Sequence, residues 1–307
     1  MARELSARDA TIILIESPMH QTVLPAWESF LYSPGNGKFS VERDRRVVGN
    51  ILSAMMKIKL MNFLKKGDLP MYRLFLNQQS VRFNNLPTCG VEDLVQATGN
   101  SFEDDVVQPH GALVANFFLQ NGFVSATQRD GSGWPPVCYA AVNGHPALVA
   151  SLLEQRADPN DGLRQEAAAL RLPKDLPAVS LCAYFRNNEA MKVLIEAKAD
   201  VNFRDKRHGA PLFWSNLSNN TAGTRILLAA GADPHLEGSP PMNVLEAACT
   251  MGATDVIREL LSRLDKPSLQ YTLHLAFFVK GGAPDTVSTL LHARADINEQ
   301  PLGFDTF

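Results

Sequence analysis

Glu103, Asp104 and Asp105 are the residues of this chain whose grouping most directly suggests chemistry, because a hard cation needs several oxygen ligands at one place. Three neighbouring acids also make an ordinary solvated turn, and the acidic stretch 99–108 is read that way. Of the seven histidines, His20, His110, His208, His235 and His292 stand without a sequence neighbour that would make a general-base pair. The four cysteines, at 89, 138, 182 and 249, form no C-x-x-C pair, so neither a metal site nor a disulfide framework is expected. The chain carries no phosphate-cradling glycine loop, no G-x-G-x-x-G, no H-E-x-x-H and no G-x-S-x-G. These residues give no catalytic, cofactor-binding or metal-binding constellation, and an enzyme is not expected.

Charge excludes further classes. A net charge of -3 supplies no general attraction to nucleic acid or to an anionic membrane. The basic run Arg43 to Arg46 is interrupted by Asp44 and reads as the cap or solvated face of a helix. Near the start, the longest apolar run is Ile12 to Ile15, and Glu4, Arg8, Asp9 and Glu16 interrupt any secretory h-region. A cytoplasmic or nuclear protein without a membrane span is the expectation.

The elements that organise the chain are repeats. The stretch 135–160 (PPVCYAAVNGHPALVASLLEQRADPN) returns as 177–202 and again as 210–235. Apolar pairs recur at Leu152-Leu153, Val193-Leu194, Leu227-Leu228, Leu260-Leu261 and Leu290-Leu291, the last three spaced by 33 and then 30 residues. Each unit reads as two short helices, and neither can bury its apolar face without a neighbour.

Two short motifs carry a resemblance. Pro135-Pro136-Val137-Cys138-Tyr139-Ala140-Ala141 stands where the ankyrin repeat has T-P-L-H-x-A-A. Ala157-Asp158-Pro159-Asn160 and Gly231-Ala232-Asp233-Pro234 stand for its G-A-D-x-N exit. Over about residues 51–300 the chain resembles an ankyrin repeat protein. The resemblance implies an all-α solenoid of about seven helix-turn-helix units. The expected boundaries are 43–84, 85–126, 127–160, 161–202, 203–235, 236–267 and 268–300, with a non-repeat capping segment over 1–42 and a tail over 301–307. His145 and His274 fall on structural histidine positions of that pattern, and Cys138, Cys182 and Cys249 on apolar positions of its helices.

Local readings fill in the frame. Thr11 to Ile15 is β-branched and reads as a strand or extended arm, and 33–37 as a turn. From Val47, apolar residues at 47, 48, 51, 52, 55, 58 and 60–64 predict a helix with one buried face. A second helix follows Gly67, a third spans about 91–98 and a fourth ends near Gln120. The surplus 163–172 predicts an extra helical turn. Ser215-Asn216, where the family packs two alanines, marks a soft point, since a buried amide without partners costs about 1–3 kcal/mol.

The resemblance also implies a role: binding another protein through the concave groove of the first helices and through the hairpin tips. Carried over by position, the groove residues are Val142, Asn143, Tyr184, Phe185, Leu217, Met251 and Phe278, with Trp134 and Leu176 just before the helix openings. The competing reading is that these side chains fill the core. The expectation is therefore a non-catalytic scaffold, adaptor or inhibitor, monomeric, with a protein partner and no cofactor. Two alternatives are a regulatory or substrate-positioning subunit of an enzyme, and a substrate of an asparaginyl hydroxylase acting at Asn160, Asn202 or Asn298.

Overall fold

The computed structural model describes residues 12–17, 20–24, 33–39, 41–88, 90–91, 94–95, 109–238, 242–264, 267–280 and 283–298. Apart from one hairpin, the regular structure of these residues is helical, as expected for an all-α chain. The chain divides into two compact units, Met1–Lys174 and Asp175–Phe307.

In the first unit, β1 (Ile12–Ser17) pairs antiparallel with β2 (His20–Leu24), Ile12 lying opposite Leu24. The expected turn at 33–37 is a 3-10 turn over Pro34–Asn36. Ser33 ties it down by donating to the carbonyls of Arg82 (3.1 Å) and Asn84 (2.8 Å). A Cβ on Gly35 would lie 2.1 Å from the Asn84 carbonyl oxygen, so only glycine lets the two backbones approach this closely.

Helix α1 (Glu42–Lys66) ends at Gly67, whose φ of 69° permits the Asp68 N–H to reach back to the Phe63 carbonyl. Asp68 then caps α2 (Leu69–Asn77) by accepting from the Met71 N–H. A short α3 (Gln79–Arg82) follows. Leu52, Met56 and Leu60 of α1 close a core with Tyr72, Phe75, Phe83, Leu86 and Val91. The expected single buried face of α1 is corrected here: Val47, Ile51 and Ile58, read as part of it, are exposed. A periodic pattern registers an apolar stripe without saying how many stripes there are. By length and composition α1 could also cross a membrane, a feature the sequence reading lacked; length and composition alone do not establish a span.

Residues 91, 94 and 95 are not helical, while the rest of the helix expected over 91–98, the acidic stretch 99–108 and Cys89 lie outside the described residues. Helix α4 (Pro109–Asn121) is present where expected. Two helices close the unit: α5 (Pro136–Asn143) packs on α2, and α6 (Pro146–Glu154) packs on α4. The surplus 163–172 contains one 3-10 turn, Ala168–Leu170, bracketed by an Ala167–Leu172 bridge.

The described residues of the second unit form four helix pairs. They are α7 (Ala178–Phe185) with α8 (Asn188–Glu196), α9 (Pro211–Leu217) with α10 (Thr221–Ala229), α11 (Val244–Thr250) with α12 (Thr254–Arg263), and α13 (Thr272–Lys280) with α14 (Pro284–His292). The first helix of each pair packs on the first helix of the next, and the second on the second.

Repeated local chemistry makes these pairs. After the second helices, Arg156 in unit one and Lys198, Gly231 and Arg294 in unit two each take a left-handed φ of 69–88°. The following Ala157, Ala199, Ala232 or Ala295 is buried and donates its N–H to a carbonyl five residues back, Leu152, Leu194, Leu227 or Leu290. The next residue, Asp158, Asp200, Asp233 or Asp296, accepts at 2.8–2.9 Å from the N–H two positions on. That aspartate-built turn accounts for the Ala-Asp of the exit.

Cys138, Cys182 and Cys249 are buried thiols outside any disulfide, as their apolar positions suggested. Burial pushes the Cys182 thiol up, and burial together with the nearby Glu246 charge pushes Cys249 up to about 12. Neither is a ready nucleophile at neutral pH.

Candidate interaction surface

The groove expectation is overturned for most of its residues. Trp134, Val142, Leu176, Tyr184 and Phe185 are all buried. Trp134 packs at a tilt against Tyr139, ring centroids 4.9 Å apart, and Tyr184 meets Phe185 and Trp214 edge-on at 5.3 and 5.4 Å. Large aromatic side chains beside short, alanine-rich helices supply the apolar area that such helices lack, so they become core. Asn143, Leu217 and Met251 are half-buried at the ends of three different helices. The side chain of Phe278, on α13, lies outside the described residues.

Ser215-Asn216 is better satisfied than the sequence suggests. Ser215 Oγ bonds the Leu212 carbonyl (2.8 Å) and Thr224 Oγ1 (3.0 Å), and Asn216 Nδ2 donates to the Val244 carbonyl of the next pair (2.7 Å). Of the side-chain polar atoms of these two residues, Asn216 Oδ1 alone finds no partner among the described residues.

What the structure brings together instead is a pair of loop clamps, one in each unit. Arg129-Asp130 and Arg204-Asp205 stand immediately before the openings of α5 and α9. Asp130 accepts the backbone N–H groups of Ser132 and Trp134 on Oδ1 (2.9 Å each) and the Tyr139 hydroxyl on Oδ2 (2.7 Å). Asp205 accepts the N–H of Arg207 (2.7 Å) and Gly209 (3.2 Å) on Oδ1 and the Trp214 indole N–H on Oδ2 (2.7 Å). In both, the aspartate folds its own loop and pins an aromatic residue nine positions later.

The arginines are equally alike. Arg129 Nη1 donates to the Gly133 carbonyl of its own loop and to the Gly162 carbonyl 33 residues on (2.9 Å each), with an ion pair to Asp161. Arg204 Nε donates to its own His208 carbonyl (3.3 Å), and its Nη2 to the Glu237 carbonyl 33 residues on (2.5 Å). Each tip is thus bonded to itself and to the next. Asn202 adds a second tie, donating to the Gly231 carbonyl (3.1 Å) and accepting the Asp233 N–H (2.8 Å).

The two aspartates differ in how their charge is met. The fully buried Asp130 side chain pairs with Arg73 of α2 at 3.2 Å. Arg73 also donates to the Asn121 carbonyl (2.6 Å) and lies over the Phe123 ring at 4.9 Å. Burial, and then the Asp130 charge and hydrogen bond, push the Tyr139 hydroxyl up, so it stays a donor. Around Asp205, burial raises the carboxyl above its ordinary range, against the opposing bonds from Trp214, Arg207 and Gly209.

Held on this frame, the tip 203–208 presents Phe203, Arg204, Lys206, Arg207 and His208 at the surface. Along the second helices run two open, polar grooves. One, of about 400 Å³, is lined by Thr221, Arg225, Asp255, Arg258 and Glu259. Its neighbour, of about 370 Å³, is lined by Arg258, Asp285, Ser288, Thr289 and His292. Burial works against the Glu259 charge, but the guanidinium groups of Arg225 and Arg263, each at 2.6 Å, outweigh it and hold the carboxyl below its usual range. No group of three or more His, Cys, Asp or Glu able to hold a metal exists among the described residues.

The Arg-Asp clamps escaped the sequence reading. Their signal was available in the recurrence of an Arg-Asp dipeptide before two helix openings, but arginine carries no period-specific meaning until its reach is known.

No protein-family model matches the chain. A 63-residue stretch, 20% of the chain, is 38% identical to the ADP-ribosylation factor GTPase-activating protein AGD2 of Arabidopsis thaliana. The match covers about 8% of that protein's length.

Proposed function

We propose that the chain is an ankyrin-type array of about seven helix pairs that binds another protein through its hairpin tips rather than through aromatic groove positions. The observation that carries the reading is the clamped tip. Two loops at corresponding positions are bonded internally and to the next loop 33 residues on, through Arg129-Asp130 and Arg204-Asp205. A loop ordered before binding loses less entropy on binding, and that is what an interaction surface gains from internal bonds. The pair-on-pair packing of α7 to α14 and the shared exit turn support the array; the buried, unreactive thiols fit a reducing cytoplasmic or nuclear setting. Phe203 and Lys206 supply the exposed apolar and cationic groups for contact.

Crosslinking followed by affinity purification from the source cells tests this. Phe203→Ser with Lys206→Glu should abolish crosslinked capture of the partner while leaving Tm unchanged, because both side chains are exposed. Capture undiminished by the pair would remove the tips from the interface. The asparaginyl-hydroxylase alternative has less support, because the Asn202 amide is engaged on both of its ends.

A further inference from the structure

Helix α1 has two apolar faces. One, carrying Leu52, Met56 and Leu60, is fully enclosed in the core of the first unit. The other runs along the opposite side. Val47 (48% exposed), Ile51 (54%), Ile58 (61%) and Met61 (42%) face solvent, and the exposed Ala54 completes the row. Their spacing is four, three, four, three, the a/d rhythm of a coiled-coil seam.

At 3.6 residues per turn these five positions fall within roughly 80° of arc and extend over about 21 Å of helix. An interfacial membrane helix presents a wider face with large aromatic or Leu anchors, whereas a strict a/d stripe of β-branched residues suits one packed helix. The central alanine lets that second helix approach closely.

Charge selects the partner. The seam is bordered by the exposed cations Arg43, Arg46, Lys57, Lys65 and Lys66, against Asp44 as the exposed acid beside it. A second copy of α1 would set these cations against one another in either orientation. An acidic helix would neutralise them.

We propose that the outward face of α1 is a docking seam for a partner helix bearing heptad-spaced apolar residues and acidic flanks. The seam is independent of the hairpin tips, and the contact is short, toward the small end of specific interfaces, so it is a reversible one. Apolar residues supply the contact area, and the cations supply discrimination and salt dependence.

The test uses the full chain and a synthetic helical peptide with Ile and Leu at a and d and Glu at e and g. A control peptide carries Lys at e and g. Titration calorimetry should find binding of the Glu peptide that weakens as salt rises, and binding of the Lys peptide at least 10-fold weaker. Ile51→Glu with Ile58→Glu should lower affinity by about 100-fold, two half-exposed Ile side chains being removed from the contact. Its unchanged Tm would show that the core face is intact. Lys57→Glu with Lys65→Glu should invert the preference between the peptides.

Equal binding of both peptides would overturn the proposal in favour of indiscriminate apolar contact. Three other results would also overturn it: no Glu-peptide binding up to about 1 mM, seam-dependent self-association in sedimentation velocity, or sedimentation with vesicles of phosphatidylserine and phosphatidylcholine without peptide binding.

Discussion

Asp130 and Asp205 occupy the same place in two loops and solve the same problem differently. Each is a carboxylate with little or no solvent, each bonds two backbone N–H groups of its own loop, and each fixes an aromatic side chain on the helix that follows. In the first unit a guanidinium from another helix, Arg73, meets the charge. In the second unit the carboxylate is met by the indole and the backbone, and its protonation is favoured by burial. One sequence position can therefore carry either a long-range electrostatic tie or a purely local turn. What stands across from it decides which.

Removing Arg73 should break this comparison most severely. Arg73→Ala leaves the Asp130 carboxylate buried and uncompensated, and about 3–5 kcal/mol should be lost in chemical denaturation. Asp205 is met by the Trp214 indole and by backbone N–H groups, so the stability of the second unit should not depend on a single buried ion pair in this way.

The next largest effects should come from the aromatic donors. Trp214→Phe and Tyr139→Phe each leave an Oδ2 short of one donor, at a cost of about 1–3 kcal/mol. The Tyr139 variant should sit at the lower end, because Arg73 still reaches the same oxygen.

Titration sharpens the contrast further. The Asp205 carboxyl is raised in the folded chain, so its protonated form is the better tolerated one. Its contribution to stability is present below the unfolded carboxylate range and is lost as pH rises through the raised folded value. Stability of the wild type relative to Asp205→Asn, followed by denaturation at a series of pH values, should be greatest in acid and fall as pH increases. A wild-type advantage growing with pH would refute that ordering.

The smallest effect belongs to the exit turns, where Gly231 takes a left-handed φ of 88° and Lys198, one pair earlier, takes 70°. Gly231→Ala should cost about 1 kcal/mol, and Lys198→Gly should gain up to about 1 kcal/mol, the Cβ penalty offsetting the unfolded-state entropy.

The exits and openings of the helix pairs were legible because local bonding writes them. A-D-x-N is an aspartate turn wherever it falls, and proline at the start of α5, α6, α9 and α14 marks a first helical turn. The site was not legible. Tyr184 and Phe185 looked like groove residues because a positional carry-over from a family assigns direction to a side chain before its neighbours are known. Both are buried instead: Tyr184 meets Trp214 and Phe185 edge-on, and the aromatic cluster fills the interior.

Helix α1 shows the same division. Its sequence alone determined that residues from Val47 onward are helical and apolar, because period and propensity act along the chain. Which of its apolar residues are core and which are surface was decided by α2 and by Phe83, Leu86 and Val91, which cover Leu52, Met56 and Leu60 and leave Ile51 and Ile58 in water. Likewise the sequence fixes where the Arg-Asp dipeptides stand, whereas the partner of each arginine, 33 residues away, exists only once neighbouring loops lie side by side. Local rules see residues within one turn of each other; burial and long-range bonding depend on what folding brings across that distance.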